Sequence, residues 1–137
     1  MNKYIKTTLI FSGVWFIAAL LNGVISGTSI AILDSGSTND AMSNLFASFV
    51  FSFAFSVPFV GLVWFVTIMA QVMERKGEPL LQLVLRTALF CSIGGALIFM
   101  YAFKREFATA RFIAGPGIIV SALTAVLMFR KKIKTNE

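Results

Sequence analysis

The chain has 137 residues, 58% of them hydrophobic and 13% charged, with a mean hydropathy of +0.86 and a formal net charge of +6. Soluble domains carry about 25% charged residues, dispersed over a solvated surface. Here the charges are clumped, and none lies between Thr7 and Leu33, Ala41 and Met73, Thr87 and Phe103, or Phe112 and Phe129. Each gap reaches roughly the 17 residues that a minimal spanning helix requires. That pattern excludes a soluble fold. It predicts an all-α membrane protein, four transmembrane helices in a compact bundle of two hairpins. The expected helices cover about 7–26, 41–73, 79–103 and 112–130 of a single integral membrane domain over 1–137. The connections are too short to hold a soluble catalytic or ligand-binding domain.

The first span follows a basic start containing Lys3 and Lys6. Its apolar run is longer than the 7–15 residues of a signal-peptide core, and Gly27-Thr28-Ser29-Ile30-Ala31 matches a cleavage site only loosely. A retained first helix is expected. Leu33 to Ser43 is rich in Ser, Asn, Asp and Gly, residues that favour turns and helix caps. It forms the first loop, with Thr38, Asn39 or Asp40 placed to cap the second helix.

From Asp40 to Met73 that helix would extend about 50 Å at 1.5 Å per residue. It has to tilt, protrude or break, and Pro58 is the natural break because it removes a backbone bond and crowds the preceding turn. Phe49 to Phe55 (FVFSFAF) alternates large and small residues like a strand. An isolated strand in lipid leaves its backbone unpaired, so this stretch is expected to be helical.

Met73 to Pro79 (MERKGEP) reads as a tight turn. Gly77 suits the left-handed position after a helix, and Pro79 suits the first turn of the next one. The third span carries Arg86 two turns inside. Lys104 to Arg111 is a polar link, and the fourth span opens with Gly115-Pro116-Gly117. The tail RKKIKTNE is too short to fold and is expected to be solvated.

The +6 charge comes from basic groups beside the spans, which set orientation rather than bind nucleic acid. With the N-terminus inside, nine cations lie on the inner side and three (Lys104, Arg105, Arg111) on the outer. This predicts a multi-pass cell-membrane protein with both termini cytoplasmic.

The chain has no histidine and one cysteine, Cys91, and none of its six carboxylates lies within an apolar span. Ser–His catalysis, His-based metal ligation, paired-thiol redox chemistry and carboxylate proton relays all lose their residues. No catalytic residue, metal ligand or cofactor is expected. Arg86 is the one charge within a span. It is placed to snorkel to lipid headgroups, with an anion contact as the functional alternative. Asn22, Gln71 and Gln82 are amides suited to interhelical hydrogen bonds.

The sharpest pattern is a ladder of small residues at spacing four. It comprises Ala19, Gly23 and Gly27; Ser48, Ser52 and Ser56; Ala88, Ser92 and Ala96, with Gly95 adjacent; and Gly117, Ser121 and Ala125. Small residues on one face let backbones approach closely in lipid, where no hydrophobic drive associates helices. The ladders either pack the bundle or pair with another membrane protein or a second copy. A third pattern, Pro58 and Pro116 in the second helix of each hairpin, resembles the interrupted helices of transporters. The leading functional expectation is a non-enzymatic accessory or assembly subunit acting through helix–helix contacts. The alternative is a small oligomeric transporter or pore, a holin-like permeabiliser included. Reporter fusions at Ser37 and after Glu137 are expected to report opposite sides of the membrane; the same side for both contradicts four spans.

Overall fold

A computed structural model describes residues 2–33, 38–102, 109 and 111–135, with the backbone alone described for 38–41. It contains α1 (Lys3–Leu33), α2 (Thr38–Val72), α3 (Glu78–Ala102), α4 (Arg111–Met128) and a short α5 (Arg130–Thr135). The first four are each long and apolar enough to cross a membrane. In lipid a helix satisfies its backbone groups within the segment, and the FVFSFAF stretch is accordingly helical.

Helix α1 packs on α2 and α4, and α3 packs on α4 and α2; among the described residues the backbones of the diagonal pairs stay more than 8 Å apart, Cα to Cα. Chain order and spatial order therefore agree in an up-down-up-down bundle of two hairpins, α1–α2 and α3–α4. The most extensive pairing is α1 with α2, and the sparsest of the four sides is α2 with α3. The start of α1, the α2–α3 turn and α5 share one end, called here the basic end. The end of α1, the start of α2, the end of α3 and the start of α4 share the far end.

Several expected boundaries move. Helix α1 begins four residues earlier than the charge gap implies, because Asn2 caps it: the Tyr4 N–H donates to Asn2 Oδ1 at 2.8 Å, satisfying an otherwise orphan donor. It also runs on to Leu33, through the stretch read as a loose cleavage site. Gly27 there lies so close to α2 that a Cβ would come within 2.6 Å of Leu45 Cδ1. Helix α2 starts at Thr38, so side-chain capping by Thr38, Asn39 or Asp40 falls outside the described side chains.

Pro58 does not break α2, which is continuous over 35 residues, about 52 Å. The Phe53 carbonyl, next to the one that Pro58 leaves without its helix donor, accepts from Trp15 Nε1 at 3.2 Å and Ser56 Oγ at 3.1 Å. Side chains thus hold the backbone where the proline weakens it. Pro116 is likewise inside a continuous α4. Both prolines are exposed on the outside of the bundle.

The turn after α2 also differs. Glu74, not Gly77, takes the left-handed position that closes the helix, with φ of 62°. Its N–H donates to the Gln71 carbonyl at 3.0 Å and the Arg75 N–H to the Ala70 carbonyl at 3.0 Å, the paired bonds of a Schellman end. Gly77, with φ of 68°, starts α3 instead: its carbonyl accepts from the Leu81 N–H. Pro79 sits in that helix's first turn, as expected.

The tail is not a solvated strand of chain. After a turn at Phe129 it forms α5, and Ile133 is buried to 3% exposure. A single apolar residue among four cations and a threonine finds the bundle end, and Lys134 pairs with Glu78 at 2.7 Å. Both side chains of that pair are solvent-accessible, so it contributes little on its own; the burial of Ile133 sets the position.

Two glycines offer a test of packing. A Cβ on Gly23 would lie 2.7 Å from the Phe49 ring, whereas one on Gly61 meets nothing within 4 Å. Gly23→Leu is expected to destabilise the detergent-solubilised monomer by about 1–3 kcal/mol, as overpacking does. Gly61→Leu should unfold with the wild-type midpoint. Denaturant titration of both variants gives the comparison.

Candidate functional site

The twelve small residues of the ladders all lie toward the interior: ten are buried, and Ser48 and Ser56 are half-buried. The α1 and α2 ladders meet. The Ser52 hydroxyl, 1% exposed, donates to the Ala19 carbonyl at 2.9 Å across the helix pair. Asn22 Nδ2 donates to Ser52 Oγ at 3.0 Å, and Ser26 Oγ donates to Asn22 Oδ1 at 3.2 Å. A continuous polar seam, Ser26 to Asn22 to Ser52 to a backbone carbonyl, therefore joins α1 and α2. In lipid the alternative to such pairing is an unsatisfied polar group, so each link is retained.

The remaining ladders behave differently from one another. Gly117 of α4 receives Ile25 of α1, whose Cγ2 would lie 2.6 Å from an added Cβ. Ala88, Ser92 and Gly95 of α3, with Ser121 of α4, instead border a central cavity of about 70 Å³. Phe55, Phe59 and Cys91 complete part of its wall. The hydroxyls of Ser92 and Ser121 donate to carbonyls of their own helices, at 2.9 Å to Leu89 and 2.7 Å to Gly117. Small residues thus admit a neighbour at one height and leave space at another.

Two other concavities matter. Toward the far end a pocket of about 170 Å³ is lined by Asn22, Ser26, Asn44, Ser48 and Ser52 together with Ile30, Ala47, Phe51 and Phe99. On the outside, between α1 and α2, an open groove of about 420 Å³ runs past Thr8, Ser12, Trp15, Val57, Gly61 and Trp64. At the basic end the interior is shut. Thr7 Oγ1 lies 2.9 Å from Gln71 Oε1, to which it donates, and Gln71 is 3% exposed. Ile133 of α5 and Thr67 border the same closure.

Arg86 lies exposed on the outside of α3 and lines none of these concavities. Asn22 and Gln71, singled out by residue type, each bond across a helix pair. Gln82 is exposed. Sequence reasoning missed Thr7, Ser26 and the Trp15–Trp64 groove. Ser26 carried a signal, since it stands one turn from Asn22; Thr7 and Gln71, 64 residues apart, carried none. Pro58 and Pro116 line none of these concavities.

Among the described residues no group of three His, Cys, Asp or Glu side chains could hold a metal ion. The linings of the two interior spaces hold amides, hydroxyls, one thiol and apolar groups, with no carboxylate, amine or guanidinium. What they offer is neutral hydrogen bonding.

Removing the central hydroxyl with Ser52→Ala is expected to lower stability by about 0.6–2 kcal/mol. The loss should shrink in an Asn22→Leu background, because the two share one network. Arg86→Lys should leave stability and membrane level unchanged, since both cations reach the headgroups. A large loss for Arg86→Lys would instead mark bidentate anion recognition. No protein-family model, no curated protein sequence and no solved structure matches this chain, so its function has to be read from its own residues.

Proposed function

We propose that this four-helix membrane protein is a non-enzymatic accessory or assembly subunit of the cell membrane. It acts by receiving a transmembrane helix of another membrane protein, and both of its termini lie in the cytoplasm. The orientation rests on the cation bias between the two ends. The observation that carries the partner reading is the outer α1–α2 groove. Gly61 stands exposed on its floor, with nothing of this chain within 4 Å of the space a Cβ would fill. Thr8 and Ser12 face it from α1, one turn apart. In lipid such small outward residues permit close helix approach, and dispersion contacts then supply the attraction.

The inward ladders are already used by the bundle, whereas this groove presents Thr8, Ser12 and Gly61 outward. Its walls are stiff. Trp64 Nε1 donates to Thr8 Oγ1 at 3.1 Å, and Trp15 is fixed by its bond to the Phe53 carbonyl and an edge-to-face contact with the Phe53 ring at 5.3 Å. Prearranged walls lose little rotamer freedom when a partner docks. The transporter or pore reading draws less support, because the interior is shut at the basic end by Thr7 and Gln71.

The test is co-purification in mild detergent with Gly61→Leu and Ser12→Leu. Both variants should remain folded monomers and lose a stoichiometric partner that the wild type retains. Loss of self-association instead would make a second copy the occupant. An unchanged partner profile in both variants removes the basis of the reading.

A further inference from the structure

We propose that the pocket near the far end of the bundle, with the central cavity behind it, binds a small uncharged amphipathic molecule. Its hydroxyl or carbonyl head lies among Asn22, Ser26, Ser48 and Ser52, and its apolar part points toward Phe55 and Phe59. This site is separate from the outer groove and does not depend on the partner reading.

Size is the first consideration. The pocket is about 170 Å³ and the cavity about 70 Å³. An apolar cavity of roughly 150 Å³ already accommodates benzene. Asn22 lines both spaces, which therefore adjoin at that residue. A guest of ring or short-chain size is therefore accommodated, whereas a whole phospholipid is not.

The chemistry of the lining sets the second limit. Among the described residues the Ser48 hydroxyl and the second N–H of the Asn22 amide have no hydrogen-bond partner, although both border the pocket. Packing alone does not call for them. A leucine at position 48 would fill the space and bury apolar area, whereas a serine leaves a volume with a donor and acceptor on its wall. Polar side chains within membrane helices face either a partner or a polar-lined cavity; this pair faces the cavity.

Charge sets the third. Neither lining contains an ionisable acid or base other than the Cys91 thiol. An ion brought there would lose its hydration without gaining a counter-charge, which costs far more than hydroxyls return. A neutral head with one or two hydrogen-bonding atoms matches, and the Phe51 and Phe99 rings, with centroids 6.2 Å apart, flank it from α2 and α3.

The probe is a photoactivatable octanol carrying a diazirine on its chain, applied to the purified full chain in lipid nanodiscs, with labelled residues mapped by mass spectrometry. Labelling should saturate, concentrate on pocket-lining residues of α1 and α2, and be displaced by unlabelled octanol. Octane and octanoate at equal concentration should not displace it. Ser48→Ala should weaken displacement by octanol about five- to tenfold, the worth of one hydrogen bond. Ser48→Phe should abolish saturable labelling; if that variant fails to fold, Ser48→Ala carries the test. Gly61→Leu, which touches only the outer groove, should label as the wild type does. Non-saturating labelling spread over lipid-facing residues such as Phe46, Phe90 and Tyr101 would overturn the proposal. Equal displacement by octane would do so too, by showing an apolar void that does not read a head group.

Discussion

The bundle depends on a constraint imposed by its solvent. Lipid tails are as apolar as the side chains they surround, so burying Leu or Phe between helices gains little over leaving it in the bilayer. What holds such helices together is contact too close for lipid to reproduce and polar bonds that lipid cannot offer. Both are concentrated where α1 meets α2. Gly23 receives the Phe49 ring, Gly27 receives Leu45, and one turn along from Gly23 the Ser52 hydroxyl reaches the Ala19 carbonyl. That pair makes the most extensive contact in the molecule.

The looser α2–α3 side shows the opposite economy of materials. It is filled by large rings rather than by close backbones. Phe51 stacks on Phe55 with centroids 5.2 Å apart, Phe55 leans on Phe59, and Phe51 meets Phe99. Rings at spacing four keep the two backbones apart and leave room beside Gly95, whose nearest neighbour is the Phe59 ring at 3.5 Å from an added Cβ. The cavities are therefore a consequence of mixing two packing styles within one bundle.

The number of helices and their pairing into hairpins were legible from charge gaps and short connections, because lipid admits few alternatives. Rotation about each helix axis was not. A helix apolar on every side has no polar stripe to mark its outer face; the spacing-four ladder singled out Gly23, which packs against Phe49, but nothing in the residue pattern marked Gly61 as open to the outside. The ends were misread where one side chain decided the matter. Asn2 extended α1 by a cap, Glu74 took a left-handed position better suited to glycine, and Ile133 drew a basic tail into a helix. Thr7 and Gln71 could not be paired from sequence, since their meeting depends on the register of α1 against α2. The amides were visible as candidates because an Asn or Gln in lipid needs a partner; which partner was a matter of geometry.

The uneven charge of the two ends limits how copies of this protein can share a membrane. By chain order the segments at the basic end carry nine of the twelve cations and three of the six carboxylates, and those at the far end carry three of each. The whole net charge of +6 thus belongs to one face of the bilayer. Moving one charge across a potential of 100 mV is worth about 2.3 kcal/mol, so an energised membrane separates the two orientations by roughly 14 kcal/mol. This bias favours one orientation for every inserted copy. It disfavours an antiparallel pair with its two-fold axis in the membrane plane, and a closed homo-oligomer is then expected to be a ring about the membrane normal.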